Sequence, residues 1–315
     1  MADILTLTLN PALDMNTETD KVVPDVKLRC TDPKVDPGGG GINVARAITH
    51  MGGEAIAIVA TSGHNGNRLL DLLKEEGITP VPIPCPGETR LSMVVNCKET
   101  GLQYRFVLPG PEWKAQNVQN AIDTTIRHAP KDGLIIFSGS LPPGVPINFS
   151  DSLARAIGGA GAKLIIDTSG PALKRIVEEH RSRPFLLRSD DEEAEGLAGR
   201  KLATPSDTAA FSRELIGRGV AENIIFARGA EGSVLTTAQG SWLATAAKVK
   251  VVSKVGAGDS YVGGFTLALA RGETIQEAAR WGAAAASAAV TTEATRLCAR
   301  EDVERLLPQC QLIEL

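Results

Sequence analysis

The 315-residue sequence is poor in the residues that build metal and disulfide sites. Its histidines, His50, His64, His128 and His180, are scattered, and no His/Cys spacing matches a zinc site, so each reads as a surface or packing residue. The five cysteines, Cys30, Cys85, Cys97, Cys298 and Cys310, are odd in number and widely spaced. That fits reduced structural thiols better than a disulfide framework. No uninterrupted apolar run is long enough to span a bilayer, and the N-terminal residues lack a basic region followed by an apolar stretch and a cleavage site. The expectation is a cytoplasmic protein without a membrane partner. Linkers rich in Pro and Ser, low-complexity tracts and internal repeats are also missing, which predicts a single domain over 1–315. A formal net charge of -4 gives no electrostatic case for nucleic acid, although a local basic site for a phosphorylated metabolite stays open. With 43% hydrophobic residues, the chain can bury a large core.

Glycine, by contrast, is concentrated where it matters. Residues 255–260, Val-Gly-Ala-Gly-Asp-Ser, precede an apolar run at helical spacing over 261–270, and Arg271-Gly272 reads as its stop. A helix N-terminus offers unpaired N–H groups and partial positive charge, and Gly256 and Gly258 would let a phosphate approach the backbone. The fragment reads as an anion hole with a carboxylate beside it, or as an ordinary glycine-acid turn. A second cluster at 37–46, Pro-Gly-Gly-Gly-Gly-Ile-Asn-Val-Ala-Arg, runs into another amphipathic helix, with Ile42, Val44, Ala45, Ala47, Ile48 and Met51 on its apolar side. Four consecutive glycines suit a loop where side chains would block a ligand. No Gly-Lys-Ser/Thr follows, which excludes a Walker A loop, and the final glycine of the dinucleotide fingerprint is absent.

Apolar patterns predict strands at 4–9, 55–60, 134–137, 164–166, 185–187 and 224–226, with helices at 66–76, 118–127, 151–160, 172–179 and 206–218 between them. This alternation implies an α/β fold with a largely parallel sheet covered on both faces, and a site at the carboxyl ends of the strands. Two segments, near 14–36 and 91–108, break the rhythm. The second reads as a hairpin around Glu99-Thr100-Gly101.

The two glycine clusters and their order resemble the ribokinase-like sugar kinases, specifically the phosphofructokinase-B branch and, within it, the bacterial minor 6-phosphofructokinase group. The opening Asn10-Pro11-Ala12-Leu13-Asp14, the stretch from Gly38 to Ala45, Lys27-Leu28-Arg29-Cys30, Gln103-Tyr104-Arg105-Phe106, Ser138-Gly139-Ser140-Leu141-Pro142-Pro143-Gly144, Asp167-Thr168-Ser169-Gly170 and Thr295-Arg296-Leu297-Cys298 carry the likeness over nearly the whole chain. It implies a three-layer ribokinase-like fold in which the two excursions form a β-sheet lid, and lids of two subunits that pack together as a homodimer. The implied reaction is transfer of the ATP γ-phosphoryl group, with magnesium, to the C1 hydroxyl of fructose 6-phosphate. Tagatose-6-phosphate kinase and 1-phosphofructokinase activity remain alternatives, as does a catalytically impaired nucleotide or sugar-phosphate sensor.

The resemblance assigns Asp259 as the base and the backbone at Gly256, Ala257 and Gly258 as the anion hole; the plainer reading of Asp259 is a helix cap. For a phosphorylated ketohexose it implies Asp14, Gly39, Gly40 and Asn43 around the hydroxyls, and Lys27, Arg90 and Ser140 around the phosphate. Arg29 is implied to reach the other subunit's site. The alternative for the three cations is a solvated sheet edge. For the nucleotide it implies Arg188, Asp190, Gly229, Gly232, Trp281 and Gly282, with Glu193 organising magnesium through water. Asp190 stands where the family has asparagine, and an ionised aspartate only accepts hydrogen bonds and adds negative charge beside ATP. Ala227 likewise replaces a common hydroxyl residue. A potassium ion beside the anion hole is implied through backbone oxygens at Ser253, Val255, Ala289, Thr292, Ala294 and Arg296, where Thr292 and Ala294 depart from the usual asparagine and glycine.

Overall fold

The computed structural model describes residues 3–293 and 295–315. Strand β1 (Ile4–Thr8) is buried throughout and leads into β2 (Ala12–Thr19) and β3 (Lys34–Gly38). Helix α1 (Gly40–His50), β4 (Ile56–Thr61), α2 (Gly63–Glu75) and β5 (Pro80–Pro84) follow. The hairpin of β6 (Arg90–Cys97) and β7 (Gln103–Val107) precedes α3 (Ala115–His128), β8 (Leu134–Ser138), α4 (Phe149–Ile157), β9 (Lys163–Asp167) and α5 (Gly170–Glu179). Next come β10 (Leu186–Ser189), α6 (Asp191–Ala198), α7 (Pro205–Gly217), β11 (Asn223–Ala227), β12 (Gly232–Thr236) and β13 (Ser241–Thr245). The chain closes with α8 (Ala257–Ala270), α9 (Ile275–Ala289), α10 (Arg300–Leu306) and β14 (Leu312–Glu314).

The larger sheet has ten strands in the order β14-β13-β12-β11-β10-β9-β8-β1-β4-β5. From β11 to β5 every pairing is parallel, whereas β12, β13 and β14 add antiparallel pairs. Parallel strands need helical crossovers, and these cover both faces. On one face Ile4, Ile136, Ile165 and Ile225 pack with Val44 and Ile48 of α1, Phe265 of α8 and Ala284 of α9. On the other, Leu7, Phe137, Ile166 and Phe226 meet Phe149 of α4, Ile176 of α5 and Phe211 of α7. The three layers follow from apolar residues at successive strand positions, which face alternate sides.

Helix α8 is buried nearly all round because it lies between α1 and α9. A methyl at Gly263 would come within 2.9 Å of Ala47 Cβ, and one at Gly264 within 2.8 Å of the Trp281 carbonyl oxygen. The two glycines therefore set the spacing of three helices.

Strand β5 is one that periodicity misses, because Pro80, Pro82 and Pro84 argue against any strand. The Cys85 N–H donates to the Thr61 carbonyl of β4. By alternation the proline nitrogens face the open edge, where no donor is needed. The expected strands and helices are otherwise present with shifted ends. Helix α2 begins at Gly63 rather than 66, and residues 158–160 tighten into a 3-10 turn after α4.

The smaller sheet, β3-β2-β6-β7, is the expected lid. Its register puts Asp14 opposite Asp36 and Ser92, with Arg90 one step along on the same face. The other face carries Leu13, Leu91, Met93 and Phe106, the last two directly paired. Leu13 is covered by Ile42 and Leu69 of the main body, which seats the root of the lid.

Candidate active site

The first turn of α8 lies beside the carboxyl ends of β8, β9 and β10. Gly256 takes the left-handed φ of 78° that begins the helix, and a methyl at Gly258 would lie 2.9 Å from both Nη1 and Nη2 of Arg188. A guanidinium thus presses on the helix start, at the end that favours anions. Arg188 Nη1 donates to Asp167 Oδ1 at 3.1 Å, and Ser138 Oγ donates to Asp167 Oδ2 at 3.1 Å. Asp259, in that first turn, accepts a hydrogen bond from Asn43 Nδ2 at 2.9 Å through Oδ2. Its side chain makes no N-cap bond, because the cap position belongs to Gly256.

Burial pushes the Asp259 carboxyl up to about 7; the charge of Asp167 pushes the same way, while the Asn43 bond and Arg188 oppose it. Asp14 is raised to about 6, again by burial first, against the pull of Arg90 and Arg46 and with the repulsion of Asp36. Burial works against the Arg188 cation, yet Asp167, Asp259 and Asp190 outweigh it and raise its pKa. The cluster holds two carboxyls near neutral pH around a fixed cation, the pattern expected of a site that moves protons.

Around Asp14, the glycine run is required by the protein's own packing. A methyl at Gly38 would fall 2.1 Å from Asp14 Oδ2, one at Gly40 2.3 Å from Ser138 Oγ, and one at Gly41 2.5 Å from Thr8 Oγ1. Gly39 has a φ of 126°, closed to other residues, and lies against Thr8 and Pro11. The loop therefore ties the lid to β1 and β8. Arg90 donates to the Leu108 and Asn10 carbonyls at 3.2 and 3.1 Å, while its buried Nε has no protein partner among the described residues. Asn10 Nδ2 in turn donates to Ser140 Oγ at 3.0 Å. Arg90, Asn10 and Ser140 form one linked corner, whereas Lys27 and Arg29 lie on the exposed segment between β2 and β3.

The residues expected at the nucleotide have structural duties of their own. Asp190 caps α6: its Oδ1 accepts from the Glu193 N–H at 2.8 Å, and Glu193 Oε2 accepts from the Asp190 N–H at 3.3 Å. Asparagine and aspartate cap equally well, so the cap accounts for a short acceptor at 190 but not for its charge. Burial, then Asp190, raises the Glu193 carboxyl. Gly229 lies 3.9 Å from Asp191 by the same measure, bringing that turn beside the start of α6. Gly232 is needed because a methyl there would meet the Ala244 carbonyl oxygen at 2.0 Å. A methyl at Gly282 would meet the Tyr261 ring at 2.9 Å, and Trp281 packs on the core beside it. Among the residues expected to hold potassium, the Ala289 carbonyl accepts from Thr292 N and Oγ1, and Val255 N donates to Ser253 Oγ. Arg296 is exposed, and Ala294 lies outside the described residues. A separate cavity of about 230 Å3, lined by β5 and α3, lies outside this cluster.

The residues missed by sequence reasoning are Asp167 and Ser138. Both stand in quoted motifs, and the signal was their place at the ends of neighbouring parallel strands.

Residues 8–302 match the family model for the pfkB family carbohydrate kinases. The chain belongs to that family. A relative from Mycobacterium tuberculosis, ATP-dependent 6-phosphofructokinase isozyme 2, is 39% identical over 96% of this chain and 88% of its own length. The protein of the same name from Escherichia coli is 36% identical over 97% of this chain and 98% of its own. The crystal structure of Escherichia coli phosphofructokinase-2 with potassium superposes with a TM-score of 0.91 at 36% identity, covering 98% and 99% of the two chains. The complex of that protein with fructose-6-phosphate gives 0.90 at 35%, with the same coverage.

A pfkB carbohydrate kinase uses ATP with a divalent metal, and the residues present fit that group. The glycine-lined start of α8 is an end where N–H groups can meet phosphate, the Ala257 N–H holding only a long 3.4 Å bond to the Lys254 carbonyl; Arg188 stands over it, and the Asp190 and Glu193 carboxyls lie alongside. No cluster of three or more His, Cys, Asp or Glu able to hold a metal occurs among the described residues.

Proposed function

We propose that the protein is an ATP-dependent 6-phosphofructokinase that phosphorylates the C1 hydroxyl of fructose 6-phosphate. The observation that carries this reading is the pairing of Asp259 with Asn43 at the anion-favouring start of α8, beneath Arg188, in a chain whose relatives of that name match nearly end to end. Asn43 fixes one carboxylate oxygen, leaving Oδ1 to accept the C1 hydroxyl proton. A carboxyl near pH 7 is poised to take a proton as the bond to phosphorus forms. The N–H groups at Gly256, Ala257 and Gly258, with Arg188, stabilise charge on the phosphoryl group in transit. Magnesium, when bound with ATP, neutralises the polyphosphate and helps align it.

On the sugar side, Asp14, with Gly39 and Gly40, receives the ring hydroxyls, and Arg90 with Ser140 binds the 6-phosphate. Lys27 and Arg29 serve the same phosphate, Arg29 that of the partner subunit. The support for a homodimer is the lid's outer face, where Met93 and Phe106 are 37% and 50% exposed although directly paired. Apolar surface of this kind marks an interface. Potassium binding by the loops at 253–255 and 289–296 rests on the potassium-bound Escherichia coli protein. The test is ADP release with fructose 6-phosphate, tagatose 6-phosphate and fructose 1-phosphate, in KCl and in NaCl. Highest kcat/KM for fructose 6-phosphate is expected; preference for another sugar refutes the assignment, and no turnover with any refutes the kinase reading.

A further inference from the structure

The C-terminal segment between α9 and α10 joins the two ends of the site. At its base, Val252 and Ser253 donate their N–H groups to the Val290 carbonyl, and Thr292 Oγ1 donates to the carbonyls of Ala289 and Leu297 at 2.9 and 3.2 Å. Leu297 is 1% exposed and lies against Gly256, where an added methyl would come within 2.5 Å of its Cδ2. The segment is therefore seated on the helix that carries Asp259. At its tip, Thr295 Oγ1 donates to Asp36 Oδ2 at 2.6 Å, across 259 positions of sequence.

Asp36 is an unusual place for that bond to end. It lies on β3 directly opposite Asp14, is 8% exposed, and precedes Gly38, which touches the Asp14 carboxylate. Two carboxylates facing across strands repel unless one is held and neutralised. Lys34 contributes a contact at 3.2 Å but is itself half exposed, so water screens it. The Thr295 hydroxyl reaches Asp36 from the main body instead. Thr295 and Leu297 hold φ of 75° and 59°, a region that branched side chains avoid. Such outliers persist where surrounding contacts over-determine them.

We propose that Thr295 is a positioning residue for the sugar site: its hydroxyl ties Asp36, and with it the exit of the lid, to the segment that seats the start of α8. The inference rests on the reading of Asp14 as a sugar contact. With the tie in place, Asp36 is turned to the main body and Asp14 alone faces the hydroxyls. Without it, the lid root loosens and Asp14 loses its fixed place against the sugar.

The test compares Thr295→Val, Thr295→Ser, Asp36→Ala and the double variant Thr295→Val with Asp36→Ala, with melting temperatures recorded for each. Thr295→Val is expected to raise the KM for fructose 6-phosphate about tenfold, the scale of a hydrogen bond to a charged group, while kcat and the KM for ATP stay within about twofold. Thr295→Ser keeps the hydroxyl and is expected to keep the wild-type KM. The double variant is expected to match Asp36→Ala, because the Thr295 hydroxyl acts on the sugar site through Asp36. Equal effects of Val and Ser, equal shifts for both substrates, or multiplicative effects in the double variant overturn the proposal. Should Thr295→Val fail to fold, Ser and Asp36→Ala carry the test: a raised KM in Ser or an unchanged KM in Asp36→Ala overturns it. Asp14→Asn separates the two readings. If it leaves the sugar KM unchanged, the sugar-site reading falls and this inference with it; if it raises that KM while Thr295→Val does not, only this inference falls.

Discussion

The two sheets of this protein are built to opposite specifications. In the larger one, β1 and β8 are buried at every position, since helices cover both faces. In the lid, β2 is only partly buried from Asp14 to Asn16 and exposed at Glu18, and β7 is exposed at all but one position. The first arrangement takes its stability from burial at roughly 25 cal/mol per Å2 of apolar surface. The second keeps one face polar around Asp14 and Arg90 and the other apolar, covered at its root by Ile42 and Leu69 but exposed at Met93 and Phe106. Burial is thus concentrated beneath the Asp259 cluster, and exposure in the lid.

The contrast is broken most directly by matched aromatic substitutions. Phe137, fully buried with its ring 5.3 Å from that of Phe149, should lose about 3 to 5 kcal/mol of unfolding free energy on change to alanine. Phe106→Ser in the lid should cost the isolated chain about 0.5 kcal/mol or less, while shifting sedimentation from dimer to monomer. A large loss of stability at Phe106 would mean that the lid belongs to the core.

Asp259→Asn should lower kcat at least about a hundredfold with ATP binding nearly intact. The same substitution probes the cost of the site. Because the folded carboxyl titrates near 7 and the ordinary value is 3.8, the native state keeps a proton that the unfolded chain has lost between those limits. Wild-type stability should therefore fall, relative to Asp259→Asn, by up to about 1.4 kcal/mol per pH unit from pH 4 to 7 and then level off. Melting curves of the two proteins that run parallel across that window would contradict the raised value. The kcat/KM of the wild type should rise with pH through the same region, as the base loses its proton.

Arg90→Ala should raise the sugar KM roughly ten- to a hundredfold and leave the ATP KM little changed, the loss expected for a charged hydrogen-bonding contact. Equal changes would point to damage at the Asn10 corner, since Arg90 also holds the Asn10 and Leu108 carbonyls. The smallest effect is reserved for Asp190→Asn. Stability should stay within about 0.5 kcal/mol because asparagine caps a helix as well as aspartate. Activity should depend less steeply on free magnesium, as one negative charge leaves the nucleotide side. Identical magnesium titrations would make Asp190 a cap and nothing more.

Much of this was legible in sequence because buried parallel strands write themselves as apolar runs, and β1, β8 and β11 were plain. The lid hairpin was legible from Glu99-Thr100-Gly101 and the alternation around it. Strands β12 and β13 were not, since Ser, Thr and Gly blur their alternation. In the site, Asp259 could be found because glycines announce it. Asp167 and Ser138 could not, because their role depends on two strands lying side by side. Nor did the glycine run disclose that Asp14, Ser138 and Thr8 press on it; spacing alone suggested only a ligand.

The prolines of β5 bear on how copies of this protein meet. One border of the large sheet presents nitrogens that cannot donate, and the opposite border, β14, is three residues long. Neither can template a continuous ladder with another molecule, so edge-on polymerisation is blocked at both ends. Exposed apolar side chains gather instead on the lid, at Met93, Phe106 and Val107, away from both borders of the large sheet.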